Sequence, residues 1–381
     1  MDTRIFAAEA SGAPSPAMVD ALLRTGFSAE AYRDACGDLR DAHMTTEEAI
    51  SHYLRHGIFE ARRFPFEVNQ YALLELAQFP FRSAGFKAQL LADVTRNLLK
   101  DLAQPFGPGI AERWAAISGL MHHGARPYFV VGDSHSTQYV ITDGHDGEWL
   151  LPIHMLCHAG SARGLGNPNS TTGYGEQLRQ SLGVIRSLPG ACDLPFLIQF
   201  GQVDIEFVHH FHRVRDNKRR LDLDAYLWFC SETVFRYTNY LASVFPAPNR
   251  NNAFVLSVFP PALSDEAWRG GKLNDVIVRV ETGMTQAEMA AGIRLLDVAN
   301  LKQRTAVHRS YNIWLHNACE SYGFRYIDVF SPFLGPDGLI DQKYLNPEAY
   351  GFDHHLDLRR THPVVADLIW RIMRKETFRA G

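Results

Sequence analysis

Beyond residue 126 the chain alternates short apolar runs with long helix-like stretches, and that alternation narrows the folds open to it. The runs are "YFVVGD", "LPIHMLCHAG", "LPFLIQFG", "NAFVLSVFPP" and "FRYIDVFSP", each bounded by turn residues. They are predominantly apolar, as in strands buried on both sides. Between them lie "AYLWFCSETVFRYTNYLASVF" and "TQAEMAAGIRLLDVANLKQRTAVHRSYNIWLHNACESYG". Such alternation indicates an α/β domain over residues 126–381, with a parallel sheet covered on both faces. Ligands of sheets of this kind bind beyond the carboxyl ends of the strands.

The first third reads differently. A length of 381 residues suggests about two or three units. Residues 1–22 are Ala/Ser/Pro-rich and are expected to form a poorly ordered tail. Residues 23–66 read as a small helical module: Thr45 and Glu48 make a capping box, Ile50, Tyr53 and Leu54 form an apolar stripe, and Gly57 supplies a stop. Residues 67–125, with "YALLELAQF", "FKAQLLADVTRNLLKDLA" and "IAERWAAISGLMHH" separated by prolines, read as a helical connector.

Composition excludes several classes of function. A net charge of -4, with 46% hydrophobic and 21% charged residues, is that of an ordinary globular chain and argues against a nucleic-acid binder. No run approaches the about 18 apolar residues of a membrane span. The N-terminus lacks the apolar centre of a secretory leader. Five scattered cysteines without a CxxC pair fit neither a disulfide framework nor a structural zinc site. The expectation is a cytoplasmic protein.

The unusual polar clusters fall just after the apolar runs. Gly132-Asp133-Ser134 follows the first, Gly160 the second and Gly201-Gln202-Val203-Asp204 the third, while "FDHHLD" (residues 352–357) precedes the last helix-like stretch. A serine at a strand-to-helix turn can act as a nucleophile if an imidazole takes its proton and a carboxylate orients that imidazole. Ser134, His355 and Asp353 are the candidates. The backbone N–H of Ser134 would face the developing oxyanion, and Gly160 would let a second N–H approach. Asp133, His135, Asn167, Asn169, Asp204 and His209 are expected beside the substrate. Asp204 equally suits a structural turn or cap. His209, His210 and His212 have no suitably spaced fourth ligand, so no metal is expected. With Arg213, Arg215, Lys218, Arg219 and Arg220 they would instead form a rim for an anionic sugar or a phosphate-bearing acyl donor. The polar loop "GLGNPNSTTGYGE" matches neither a Walker A nor a dinucleotide fingerprint, and offers Asn167, Asn169 and Ser170 to sugar hydroxyls.

Taken in order, "GDS", a following glycine, "GxxD" and an Asp/His pair before the last helix resemble the SGNH/GDSL hydrolase superfamily over residues 126–374. The resemblance implies a flavodoxin-like three-layer α/β/α sandwich, preceded here by the small helical region. It implies Ser134 as nucleophile, His355 as base, Asp353 as its orienting carboxylate and Gly160 as oxyanion donor, with acyl groups, often acetyl on carbohydrates, cleaved or transferred. Two departures stand out. Val203 occupies the position of an Asn whose amide donates to the oxyanion, leaving Gln202 as the neighbouring substitute. The final block also reads Asp353-His354-His355 in place of Asp-x-x-His, so His354 is an alternate base. Residues 23–66, through "HYL..G..E.R", resemble a module of bacterial polysaccharide-related proteins and glycosyltransferases. The expectation is a serine esterase or O-acetyltransferase acting on a bacterial glycan or a small acyl ester. No cofactor is expected, apart from an acyl donor such as acetyl-CoA for a transferase. The alternative is a weak or inactive glycan-binding adaptor.

Overall fold

The structure, a computed structural model, describes residues 14–57, 108–122, 124–145, 148–271, 277–278, 283–349 and 351–375. Most of the expected connector, and Glu60 and Arg62 of the module, lie outside these. The chain divides into two compact units. One comprises residues 1–102, 112–126 and 144–151, and the other 103–111, 127–143 and 152–381.

In the first unit, short helices span Pro16–Arg24, Ala29–Ala35, Gly37–Asp41 and Thr46–His52, followed by a π-type turn at Tyr53–Gly57. Local side chains start three of them: Ser15 and Ser28 accept from Met18 and Ala31 N–H, and Thr45 and Glu48 form the reciprocal box read from the sequence. The first helix corrects the expected tail. Ser15 caps it and Pro16, at its first position, brings a preset φ, so the stretch from Pro16 is helical. The helices close on an aromatic centre in which Tyr53 lies edge-on to Tyr32 at 5.1 Å and against Phe27 at 4.9 Å.

In the sheet, β1 (Ala125–Gly132), β3 (Glu148–Leu156), β4 (Phe196–Gln199), β5 (Ala253–Leu256) and β6 (Arg325–Ile327) follow the apolar runs, and β2 (Gly144–His145) adds an antiparallel edge on β3. The order is β2-β3-β1-β4-β5-β6. β1, β4, β5 and β6 pair in parallel, with Val130 opposite Leu197, Leu197 opposite Phe254 and Val255 opposite Tyr326. Without the edge hairpin this is the doubly wound 2-1-3-4-5 order, whose switch point lies beside the first strand. Every residue of β4 and β5 is buried, as a sheet covered on both faces requires.

Helices flank the sheet. Leu223–Val244 packs on Leu301–Tyr322, and Leu358–Met373 packs on a short 3₁₀ turn, Ser134–Tyr139, that leaves β1. The stretch read as one helix over residues 285–323 is two, Gln286–Arg294 and Leu301–Tyr322. The second starts afresh because Asn300 and Gln303 cap each other's backbone N–H groups.

Candidate active site

Ser134 follows β1 at the switch point, and its neighbour takes the capping role that its hydroxyl could have filled. Asp133, not Ser134, caps the turn: its carboxylate accepts the His135 N–H at 2.9 Å. The Ser134 hydroxyl meets His355 instead, with Oγ 2.8 Å from Nε2. The His355 ring is aimed from its other side, where Asp353 Oδ1 accepts the backbone N–H of His355 at 2.9 Å and ring Nδ1–H at 3.2 Å. Asn346 Nδ2 lies 3.5 Å from the second carboxylate oxygen. Nδ1 thus carries the proton, leaving Nε2 to accept from the serine, as a general base requires.

The electrostatics agree with that tautomer. Burial holds the His355 pKa below the usual imidazole value, with Asp353 pulling the other way and nearby His135 adding to the lowering. The Asp353 carboxyl sits far below the usual carboxylate range, chiefly through its hydrogen bond to His355. At neutral pH the site therefore holds a carboxylate, a neutral imidazole and a hydroxyl in line. The alternate base, His354, is placed differently: its Nδ1 is 3.9 Å from Asp353 Oδ1 and its ring stands edge-on to Phe207 at 5.2 Å.

Several expected contacts fall elsewhere. The Gly160 N–H donates to Cys157 O at 2.8 Å, so the oxyanion role assigned to it is corrected to a tight turn. A Cβ there would lie 2.8 Å from that carbonyl and 2.9 Å from Cys157 Cβ, which accounts for the glycine. Gln202 is buried, donating to Glu206 Oε1 at 3.0 Å and accepting from Phe259 N–H at 2.8 Å, so its amide ties β4 to the chain after β5 and does not face Ser134. Val203 lies in an apolar cluster with Phe207, Phe211 and Trp268. The Ser134 N–H, at the first position of its turn, is among the donors that a helix start leaves without an intrahelical partner.

The expected substrate contacts divide in the same way. Asp204 is buried, accepting from Ala162 N–H at 2.6 Å and Arg163 N–H at 3.3 Å, which is the capping alternative. His209 is no rim residue: it stacks on Tyr226 at 4.1 Å, and burial pushes its pKa down to about 3. The helix His209–Arg215 also turns His210 and Arg213 inward, and Arg213 donates to Arg219 O and Asp297 O. Asn167 and Asn169 share an exposed turn closed by Asn169 N–H on Asn167 Oδ1 at 3.0 Å. Asp133 and His135, assigned to substrate, are 0% and 2% exposed and bond to each other.

Two further groups escaped the sequence. His154, on β3, lies 2.9 Å from Ser136 Oγ. Glu206 is a buried acid whose burial raises its pKa to about 7. For His135 a signal was available: Asp133-Ser134-His135 repeats the D-x-H spacing of Asp353-His354-His355. Nitrogens of His135, His354 and His355 lie within 4.8 Å of one another. Both ring nitrogens of His135 and of His355 are engaged in hydrogen bonds, which makes this a bonded cluster and not a prepared ligand set.

A hydroxyl, an imidazole and a carboxylate in line at the switch point of a doubly wound sheet are the groups that a serine nucleophile requires. No family model matches the chain, and no curated protein matches it. Among solved structures it is similar to a GDSL-like lipase from Bacteroides thetaiotaomicron VPI-5482, at 12% identity and TM-score 0.32, covering 69% of this chain and 97% of that one. It is also similar to an extracellular lipase from Streptomyces rimosus, at 16% identity and TM-score 0.32, covering 63% of this chain and 98% of that one.

Proposed function

We propose that this chain is a serine-dependent acyl-ester hydrolase or O-acyltransferase. The observation that carries the proposal is the 2.8 Å contact of Ser134 Oγ with the Asp353-oriented His355 Nε2. Ser134 Oγ attacks the ester carbonyl as its proton passes to Nε2, and the resulting oxyanion faces the Ser134 N–H. Collapse expels the alcohol, which takes the proton from His355 and leaves an acyl group on Ser134. Water, or a sugar hydroxyl, gives its proton to Nε2 and attacks the acyl-enzyme, and Ser134 departs as Nε2 returns that proton to its Oγ. Hydrolase and transferase share these steps and differ in how far the site excludes water. In a transferase the donor would be an activated acyl group such as the thioester of acetyl-CoA, with a thiol in place of the expelled alcohol.

The glycan substrate, carrying O-acetyl groups, is drawn from the sequence resemblance of both parts of the chain. With the Gly160 N–H and the Gln202 amide already engaged, the oxyanion has fewer donors than the resemblance implies. Losing one donor costs about 10²–10³ in rate in well-studied hydrolases, so a slow enzyme is expected. Turnover of p-nitrophenyl acetate, abolished in Ser134→Ala, is the test. Turnover unchanged by that substitution would refute Ser134 as the nucleophile, and no turnover on any acyl donor, with glycan binding unchanged in Ser134→Ala, would favour a binding protein.

A further inference from the structure

Behind the base lies a second carboxylate–imidazole pair. Asp133 Oδ1 accepts both the backbone N–H of His135 and its ring Nδ1–H, each at 2.9 Å, as Asp353 does for His355. The far ring nitrogen differs: His135 Nε2 faces the backbone carbonyl of His354 at 3.3 Å, where His355 Nε2 faces a hydroxyl. A carbonyl oxygen only accepts, so a ring that satisfies both partners carries a proton on each nitrogen. Burial is the largest single influence and opposes that charge, but the Asp133 carboxylate, Glu206 and the His354 carbonyl together outweigh it, and the His135 pKa is raised. The His135 ring lies 4.7 Å from that of His355 and 5.4 Å from that of His354.

We propose that Asp133 and His135 form a positioning pair for acyl transfer, a buried imidazolium that holds the Asp353–His355 loop by the His354 carbonyl and keeps His355 in its proton-accepting form. The proposal rests on His355 being the base.

The charges around His135 come from every element packed on it: Asp133 at the end of β1, Glu206 from the π-type turn Asp204–Val208, and His354, His355 and Asp353 from the C-terminal loop. Arg304 and His308 come from helix Leu301–Tyr322. His308 is neutral, its pKa pushed to about 3 by burial, and Glu206, raised to about 7 by burial, loses a charge-stabilising neighbour when His135 is neutralised, so its proton affinity rises further. Asp133 and His135 together carry almost no net charge. Removing the cation alone leaves a carboxylate facing the base and raises its proton affinity. Removing both charges restores the balance.

The test follows the acid limb of kcat/KM for p-nitrophenyl acetate in His135→Gln, Asp133→Asn and the double variant, with thermal unfolding to verify folding. His135→Gln should raise the limb's midpoint by about one pH unit. Adding Asp133→Asn should bring it back to within about 0.3 unit of wild type, a rescue that a purely structural role does not give. An unmoved midpoint in His135→Gln, or a double variant as shifted as the single one, overturns the proposal. The ring ¹⁵N shifts of the unaltered protein supply a readout independent of turnover. They should show His135 mostly doubly protonated at about pH 6.5, where an ordinary imidazole is half titrated, and a mostly neutral ring there overturns the proposal. Turnover surviving in Ser134→Ala would instead sink the functional assignment, leaving the His135 charge state as a separate result.

Discussion

Asp353→Asn tests the orienting carboxylate most sharply, because the asparagine keeps the shape and can still accept one hydrogen bond. What it loses is a negative charge 3.2 Å from Nδ1 of the imidazolium formed during attack. At that separation, an effective dielectric of about 20–40 gives roughly 2.5–5 kcal/mol. The carboxylate is about one-third exposed, so solvent screening brings this towards about 3 kcal/mol. That corresponds to roughly 10²-fold in kcat. The amide can also turn its NH₂ towards Nδ1, favouring the tautomer with Nε2 protonated, which deepens the loss. The ground state carries no charge on His355, so KM should stay within about threefold of wild type. Steady-state kinetics on p-nitrophenyl acetate, with circular dichroism to verify folding, separates the two constants. A kcat within about threefold of wild type, or a KM rising as steeply as kcat falls, would refute the assignment.

Three further outcomes are expected. Because burial lowers the His355 pKa, kcat/KM should rise with pH through a midpoint below about 6.5, and a profile flat from about pH 5 to 8 would argue against this base. His209 and His308 are buried neutral with pKa values pushed to about 3, so below the unfolded value of about 6.5 the unfolded chain binds the extra protons and stability falls with pH. The loss should be about 1.4 kcal/mol per pH unit for each ring, read by urea unfolding at stepped pH, and equal stability at about pH 6.5 and 4.5 would contradict their neutral burial. Val203→Asn, made to supply the missing amide, should destabilise by about 1–3 kcal/mol without raising kcat, since Val203 packs among Phe207, Phe211 and Trp268; a faster enzyme would contradict that placement.

Much of this was legible in the residues, and the division has a physical cause. Strands buried on both faces are largely apolar, so runs such as "LPFLIQFG" point to strands like β4, in which Gln199 is the one polar residue. Ser134, Asp353 and His355 were legible because each sits where a strand or loop ends beside the sheet's carboxyl edge. The oxyanion donors were not, because the direction of a backbone N–H or a Gln amide is a tertiary fact: Gly160 turns back on Cys157 and Gln202 reaches Phe259. His209 and His210 were misread as a rim because a π-type turn, Asp204–Val208, runs directly into their helix and both rings face the core. Asp133 and His135 looked like contacts for a ligand because their spacing alone did not show that both would be buried.

The central claim is that Ser134 Oγ is the group that bonds to the acyl carbon. Mass spectrometry after treatment with a fluorophosphonate, which reacts with an activated serine, tests it most directly. The account expects one adduct per chain, mapped to Ser134, absent in Ser134→Ala and formed far more slowly in His355→Ala. An adduct on another serine, or equal labelling after His355 is removed, would contradict it.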